Sequence, residues 1–98
     1  MIDMKSEDIL KRLEEIAEKI HIHVHYEDMK AFEFRVRDGS CTLKGEYHVY
    51  IDRKRPLKEK IEILARELSK HNLDQIYIHP YIREKVLNRP KVGVITDD

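Results

Sequence analysis

The feature that most constrains this chain is a change of hydrophobic period at Ile20. Before it, Ile9, Leu10, Leu13, Ile16, Ala17 and Ile20 recur at helical spacing. Lys11, Arg12, Glu14, Glu15, Glu18 and Lys19 fill the opposite face, which predicts an amphipathic helix over about Glu7 to Lys19. Ser6 reads as its N-cap, with Glu7 and Asp8 in the first turn opposing the helix dipole. From Ile20 onward the period is two: Ile20, Ile22, Val24 and Tyr26 alternate with His21, His23 and His25. That is a half-buried strand with its histidines on the outer face.

Further strands are predicted by the same alternation. Phe32, Phe34 and Val36 alternate with Glu33, Arg35 and Arg37, and Asp38-Gly39 is a turn signal. A short strand through Cys41 and Leu43 leads to a turn at Lys44-Gly45 and a strand over Tyr47 to Ile51. Short turns between three to four strands predict an antiparallel meander. Pro56 suits the first position of a second helix, whose apolar face is Leu57, Ile61, Leu64, Ala65 and Leu68. Ile76, Tyr77 and Ile78 form a short apolar link, and Pro80 opens a third helix through Ile82, Val86 and Leu87, stopped by Pro90. Val92 to Ile95 are read as an edge strand or a loose tail. The whole, residues 1–98, is expected to be a single α+β domain with an N-terminal helix, a small antiparallel sheet and two C-terminal helices.

Composition narrows the function classes. Nineteen Lys and Arg balance nineteen Asp and Glu, so no bulk basic excess favours nucleic acid or an anionic membrane surface. Neither a long apolar run nor a signal-like segment is present, which predicts a soluble, cytoplasmic protein. Charged residues reach 39% while Asn and Gln are scarce, a balance that suits a protein working at high temperature. The single Cys41 has no intramolecular disulfide partner, and its place in the alternation predicts a packed core thiol.

Four groups of residues carry candidate chemistry. Side chains two apart on a strand lie on one face, ~6.5–7 Å apart, a spacing from which two imidazoles can reach one metal ion. His21, His23 and His25 form such a row, His48 is a candidate fourth ligand from another strand, and the cofactor would be zinc or another transition metal. The simpler reading is a solvated sheet face that tolerates histidines. Arg53, Lys54 and Arg55, with Lys58 and Lys60, form a local basic cluster that reads as a solvated helix entrance. Glu14 and Glu18 read as carboxylates on the solvated face of the first helix.

The fourth group lies on the second helix, Ile63-Leu64-Ala65-Arg66-Glu67-Leu68-Ser69-Lys70-His71. This segment resembles the active helix of the ImmA/IrrE-type metallopeptidases, whose pattern is Ala-His-Glu-Leu-Gly-His. The order of elements is also similar, from about Ile9 to Val86. A helix runs into a short strand, a small sheet leads to a strand resembling Tyr47 to Asp52, the motif helix follows, and a later apolar stretch ends in Pro80. The resemblance implies a zincin-like minimal domain. A zincin needs two neutral imidazoles one turn apart, with Glu as general base on bound water. Here those positions hold Arg66 and Lys70, so the implied member is degenerate, without zinc and not a peptidase. Glu67–His71 then reads as a surface ion pair at i, i+4. The expected function is a non-catalytic binding or regulatory module that meets a protein or peptide at the groove beside Arg66, Glu67 and Lys70. The alternative is a metal-binding protein using the histidine strand. A third expectation is a homodimer fed by Tyr47, Tyr77 and Tyr81, since aromatic residues are enriched at interfaces.

Overall fold

The structure, a computed structural model, describes residues 4–28 and 39–87. Helix α1 (Ser6–Lys19) enters strand β1 (Ile22–Glu27); β2 (Gly39–Leu43) and β3 (Glu46–Asp52) form a hairpin, and α2 (Leu57–Leu68) follows. A π-helical segment, Ile82–Leu87, continues a short helical turn at Pro80 and Tyr81. The architecture is α+β, with both long helices on one face of the sheet. Phe32 to Val36 and Val92 to Ile95 lie outside the described residues.

The helix starts sit one residue from their expected places, and α2 ends at Leu68, so Lys70 and His71, expected within it, lie beyond its C-cap Ser69. Lys5 occupies the N-cap position of α1 without a side-chain cap, so Ser6 is the first helical residue, while Glu7 and Asp8 do occupy the first turn. Pro56 likewise occupies the N-cap position of α2. At the other end of α1, the amide of Ile20 donates to Ile16 and Ala17, and that of His21 to Glu18. His21 takes φ 63°, the left-handed conformation that ends many helices and is usually given to glycine. The strand therefore starts at Ile22, and His21 is a helix-terminating residue outside the histidine row.

The sheet is mixed, which corrects the expected antiparallel meander. Its order is β1-β3-β2, with β1 parallel and β2 antiparallel to β3. Burial explains the arrangement. Val49 and Ile51 of β3 are 1% and 0% exposed, whereas the Cys41–Leu43 stretch of β2 is exposed throughout. The strand with the strongest apolar alternation takes the centre and is paired on both sides. The polar strand takes the edge, where short, polar strands are tolerated. Lys44 and Gly45, at φ 53° and 82°, form the two-residue loop that joins Leu43 to Glu46. Positive φ at both loop positions is the type I′ turn whose twist matches antiparallel strands.

One core joins the layers. Leu13, Ile16 and Ala17 of α1 meet Leu64, Ala65 and Leu68 of α2, with Ile22, Val49 and Ile51 below and Ile78 and Ile82 closing the far end. Most of the residues assigned to the apolar faces of both helices are buried or half-buried in it. Among the described residues no helix is long and apolar enough to cross a membrane.

Candidate functional site

The helices cover one face of the sheet, and the alternation of β1 and β3 sends His23, His25, His48 and Tyr50 to the other. In the parallel register His23 stands beside His48, and His25 beside Tyr50. The rings form a continuous ladder. His23 stacks on His48 with centroids 4.8 Å apart, His48 on His25 at 5.1 Å, and His25 on Tyr50 at 4.6 Å. Nε2 of His25 lies 2.9 Å from Nδ1 of His48, a hydrogen bond in which one ring donates and the other is unprotonated at that nitrogen. Burial, followed by the charge of His48, lowers the pKa of His25 below 6.5; Glu27 opposes the shift and His23 adds to it.

The ladder brings three of the four predicted metal residues together and leaves out His21. An imidazole lone pair lies in the plane of its ring. Nε2 of His25 is aimed at Nδ1 of His48 and engaged in their hydrogen bond, so the ring nitrogens do not converge on one outside point. Among the described residues no three His, Cys, Asp or Glu side chains are already placed to hold a metal ion. The nearest approach to convergence is at Glu46, whose Oε1 lies 3.8 Å from Nε2 of His23 and 3.7 Å from Nε2 of His48. Cys41 stands opposite His48 in the antiparallel register and is an exposed free thiol. This corrects its assignment to the core. A period of two says which residues share a face, but on the short edge strand the face holding Cys41 is the uncovered one.

The motif helix is built differently from a zincin centre. Arg66 is exposed, while Glu67 is buried at 6% exposure, the one charged side chain buried among the described residues. Its partner is Lys70, whose Nζ lies 3.1 and 3.2 Å from the two carboxylate oxygens. The expected surface pair of Glu67 with His71 is thus replaced by a pair at i, i+3 whose acid is inside the protein. His71 instead meets the edge of the Tyr47 ring, centroids 5.0 Å apart. Arg66, Glu67 and Lys70 therefore do not share a groove-facing surface: two lie outside and one within.

An open cleft of about 990 Å³ lies elsewhere, along β1 and the C-terminal half of α1. Glu14, Glu18 and Glu46 line it with His21, His23, Tyr26 and Tyr47, and among the described residues no lysine or arginine lines it. Glu14 is half-buried rather than solvated, because the Tyr26 hydroxyl donates to its carboxylate. Burial, and then this bond to a carboxylate, raise the Tyr26 pKa far above the usual phenol value, so Tyr26 stays a donor. The sequence gives no period or motif for this cleft, since its acids lie outside the apolar stripe of α1.

The basic cluster is partly paired. Lys54 and Arg53 reach Asp28 at 3.4 and 4.0 Å, Arg55 pairs with Glu59 at 2.9 Å, and Lys60 sits 5.6 Å over the Tyr26 ring. Arg35 and Arg37 lie outside the described residues. Of the tyrosines expected at an interface, Tyr47 and Tyr77 are exposed and Tyr81 is half-buried. Comparison with known proteins finds no matching family model, no similar curated protein and no similar solved structure.

Proposed function

We propose that this chain is a non-catalytic binding or regulatory module built on a zincin-like plan. The observation that carries this reading is the Glu67–Lys70 pair. In a zincin the glutamate must reach a metal-bound water. Here Lys70 stands in place of one metal-binding imidazole and is tied to the carboxylate, which is itself buried. Glu67 has become a structural acid, and Arg66 extends into solvent from the position of the other imidazole. The order of elements supports the same reading, since β3 passes through Pro56 directly into the motif helix α2. Arg66, exposed on α2, offers a cationic contact for a partner protein or peptide.

The test combines metal analysis with a peptidase assay on protein purified without chelator. The expected result is no stoichiometric zinc and no cleavage of an unfolded protein substrate. Zinc-dependent cleavage that disappears in Glu67→Gln would overturn the reading. For binding, Arg66→Glu should abolish partner capture while leaving the fold intact, because its side chain is exposed.

A second reading, transition-metal binding on the histidine face, is favoured by the shared approach of His23 and His48 to Glu46. It requires those rings to leave their stack. Zinc titration of the wild type against His23→Ala/His48→Ala decides it, with equal affinity of the two proteins removing the reading.

A further inference from the structure

Strand β1 is an edge of the described sheet. It pairs with β3 on one side, and among the described residues its other side has no strand. In a parallel pair, alternate residues turn both backbone groups toward the neighbour, and the residues between them turn theirs outward. A strand edge of that kind can accept another chain by main-chain hydrogen bonds. The cleft runs along this edge. Ile22, His23, Val24 and Tyr26 line it, and it reaches round the start of the sheet to Gly45, Glu46 and Tyr47.

The walls of the cleft supply charge of one sign. Glu18 and Glu14 stand on the helix side and Glu46 toward the opposite face, with no lysine or arginine among the described lining residues. The Tyr26 hydroxyl engages one oxygen of Glu14 and so fixes its orientation. A second copy of this chain on the same edge would bring these acids against their own equivalents across a two-fold axis. A basic partner would be attracted instead, and by side chains on both faces of its strand.

We propose that the edge of β1 receives an extended, basic segment of a partner protein as an added strand, its lysine or arginine side chains meeting Glu14, Glu18 and Glu46. This site lies apart from Arg66 and Lys70 and does not depend on how α2 functions. Affinity comes from the backbone ladder, and selectivity from the acids. A residue of an added strand advances ~3.3 Å, so the six residues of β1 match a partner segment of about the same length.

The test uses the full chain labelled with nitrogen-15 and the peptide acetyl-Val-Lys-Lys-Val-Lys-Lys-Val-amide, whose lysines fall on both faces of an extended strand. Binding should shift the amides of residues 22–27 and slow their hydrogen exchange. Glu14→Gln/Glu18→Gln/Glu46→Gln should weaken it by about tenfold, since exposed pairs each contribute modestly. A peptide with glutamate in place of lysine should bind no better than background. A peptide N-methylated at alternate residues keeps its charge but cannot extend the ladder, so it should lose binding. Equal binding of the N-methylated peptide, or of the glutamate peptide, would overturn the proposal. So would absence of any shift at millimolar peptide, or protection of β1 that grows with protein concentration alone. The peptide comparisons use unaltered protein and hold even if the triple variant does not fold.

Discussion

Replacing Lys70 with alanine isolates the structural role of Glu67. The Nζ of Lys70 lies 3.1 and 3.2 Å from the two Glu67 oxygens; the lysine side chain is 58% exposed and the glutamate side chain 8%. With an effective dielectric near 20, a unit pair at that separation has a gross attraction of about 5 kcal/mol. Most of it offsets the removal of the carboxylate from water, and the exposed lysine is screened further. A hydrogen bond to a charged group contributes about 1.5–3 kcal/mol net, so after solvent screening Lys70→Ala should cost about 1–2 kcal/mol. In a domain of this size that lowers Tm by about 4–16 °C. Urea denaturation with an unchanged m value would assign the loss to the folded state.

The companion variant gives the argument its edge. Glu67→Leu removes the buried charge and leaves Lys70 free to point into water, so it should be neutral or stabilising. If Lys70→Ala costs less than about 0.5 kcal/mol, water serves the carboxylate as well as Lys70 does and the pair is not structural. If Glu67→Leu is the more destabilising of the two, the carboxylate has an energetic role that the Lys70 pair does not explain. Either result would remove the main support for a non-catalytic motif helix.

The histidine ladder predicts acid sensitivity. The His25 pKa is lowered in the folded protein by burial and then by His48, so below about pH 6.5 the unfolded chain takes up more protons and stability falls as pH drops. His25→Gln should flatten that loss, and an unchanged profile between pH 7 and 5 would contradict it. His21 holds a left-handed backbone where glycine is usual, so His21→Gly should raise stability by about 0.5–1 kcal/mol, read from the urea midpoint. Leu64, fully buried between α1 and the sheet, should cost about 2–5 kcal/mol on truncation to alanine, and a smaller loss would mean the core collapses around the gap. The charge-rich, amide-poor composition predicts a Tm above ~65 °C by calorimetry, the upper end of the mesophilic range.

Much of the fold was legible because it follows from periods. The 3.6 period to Ile20 marks α1, and the period of two afterwards marks the faces of β1 and β3. Lys44-Gly45 marks the loop that positive φ then realises. Strand order was not legible, since alternation fixes which side chains share a face and says nothing of which strand lies beside which. The meander assumed that neighbours in sequence pair. Instead β3 outcompetes β2 for the centre because Val49 and Ile51 bury more apolar surface than Cys41 and Leu43 would. The same limit explains Cys41. Its residue type favours burial on average, yet the register sets it opposite His48 on the uncovered face.

The site shows a second kind of limit, because residue identity at a motif position does not fix direction. Arg66, Glu67 and Lys70 are expected from the resemblance to face one groove. On this helix the apolar stripe of Ile63, Leu64 and Leu68 sets the inward direction, and Glu67 falls beside it. Once Glu67 is inside, a cation within reach is required to offset its desolvation. Lys70, one turn away with a long flexible stem, can reach back while keeping much of its length in solvent. A histidine there is shorter and, when neutral, carries no charge to offset the carboxylate. Lys70 and the burial of Glu67 therefore belong to one arrangement: the residue that reaches back to the carboxylate is the one that makes an inward-facing glutamate tolerable at this position.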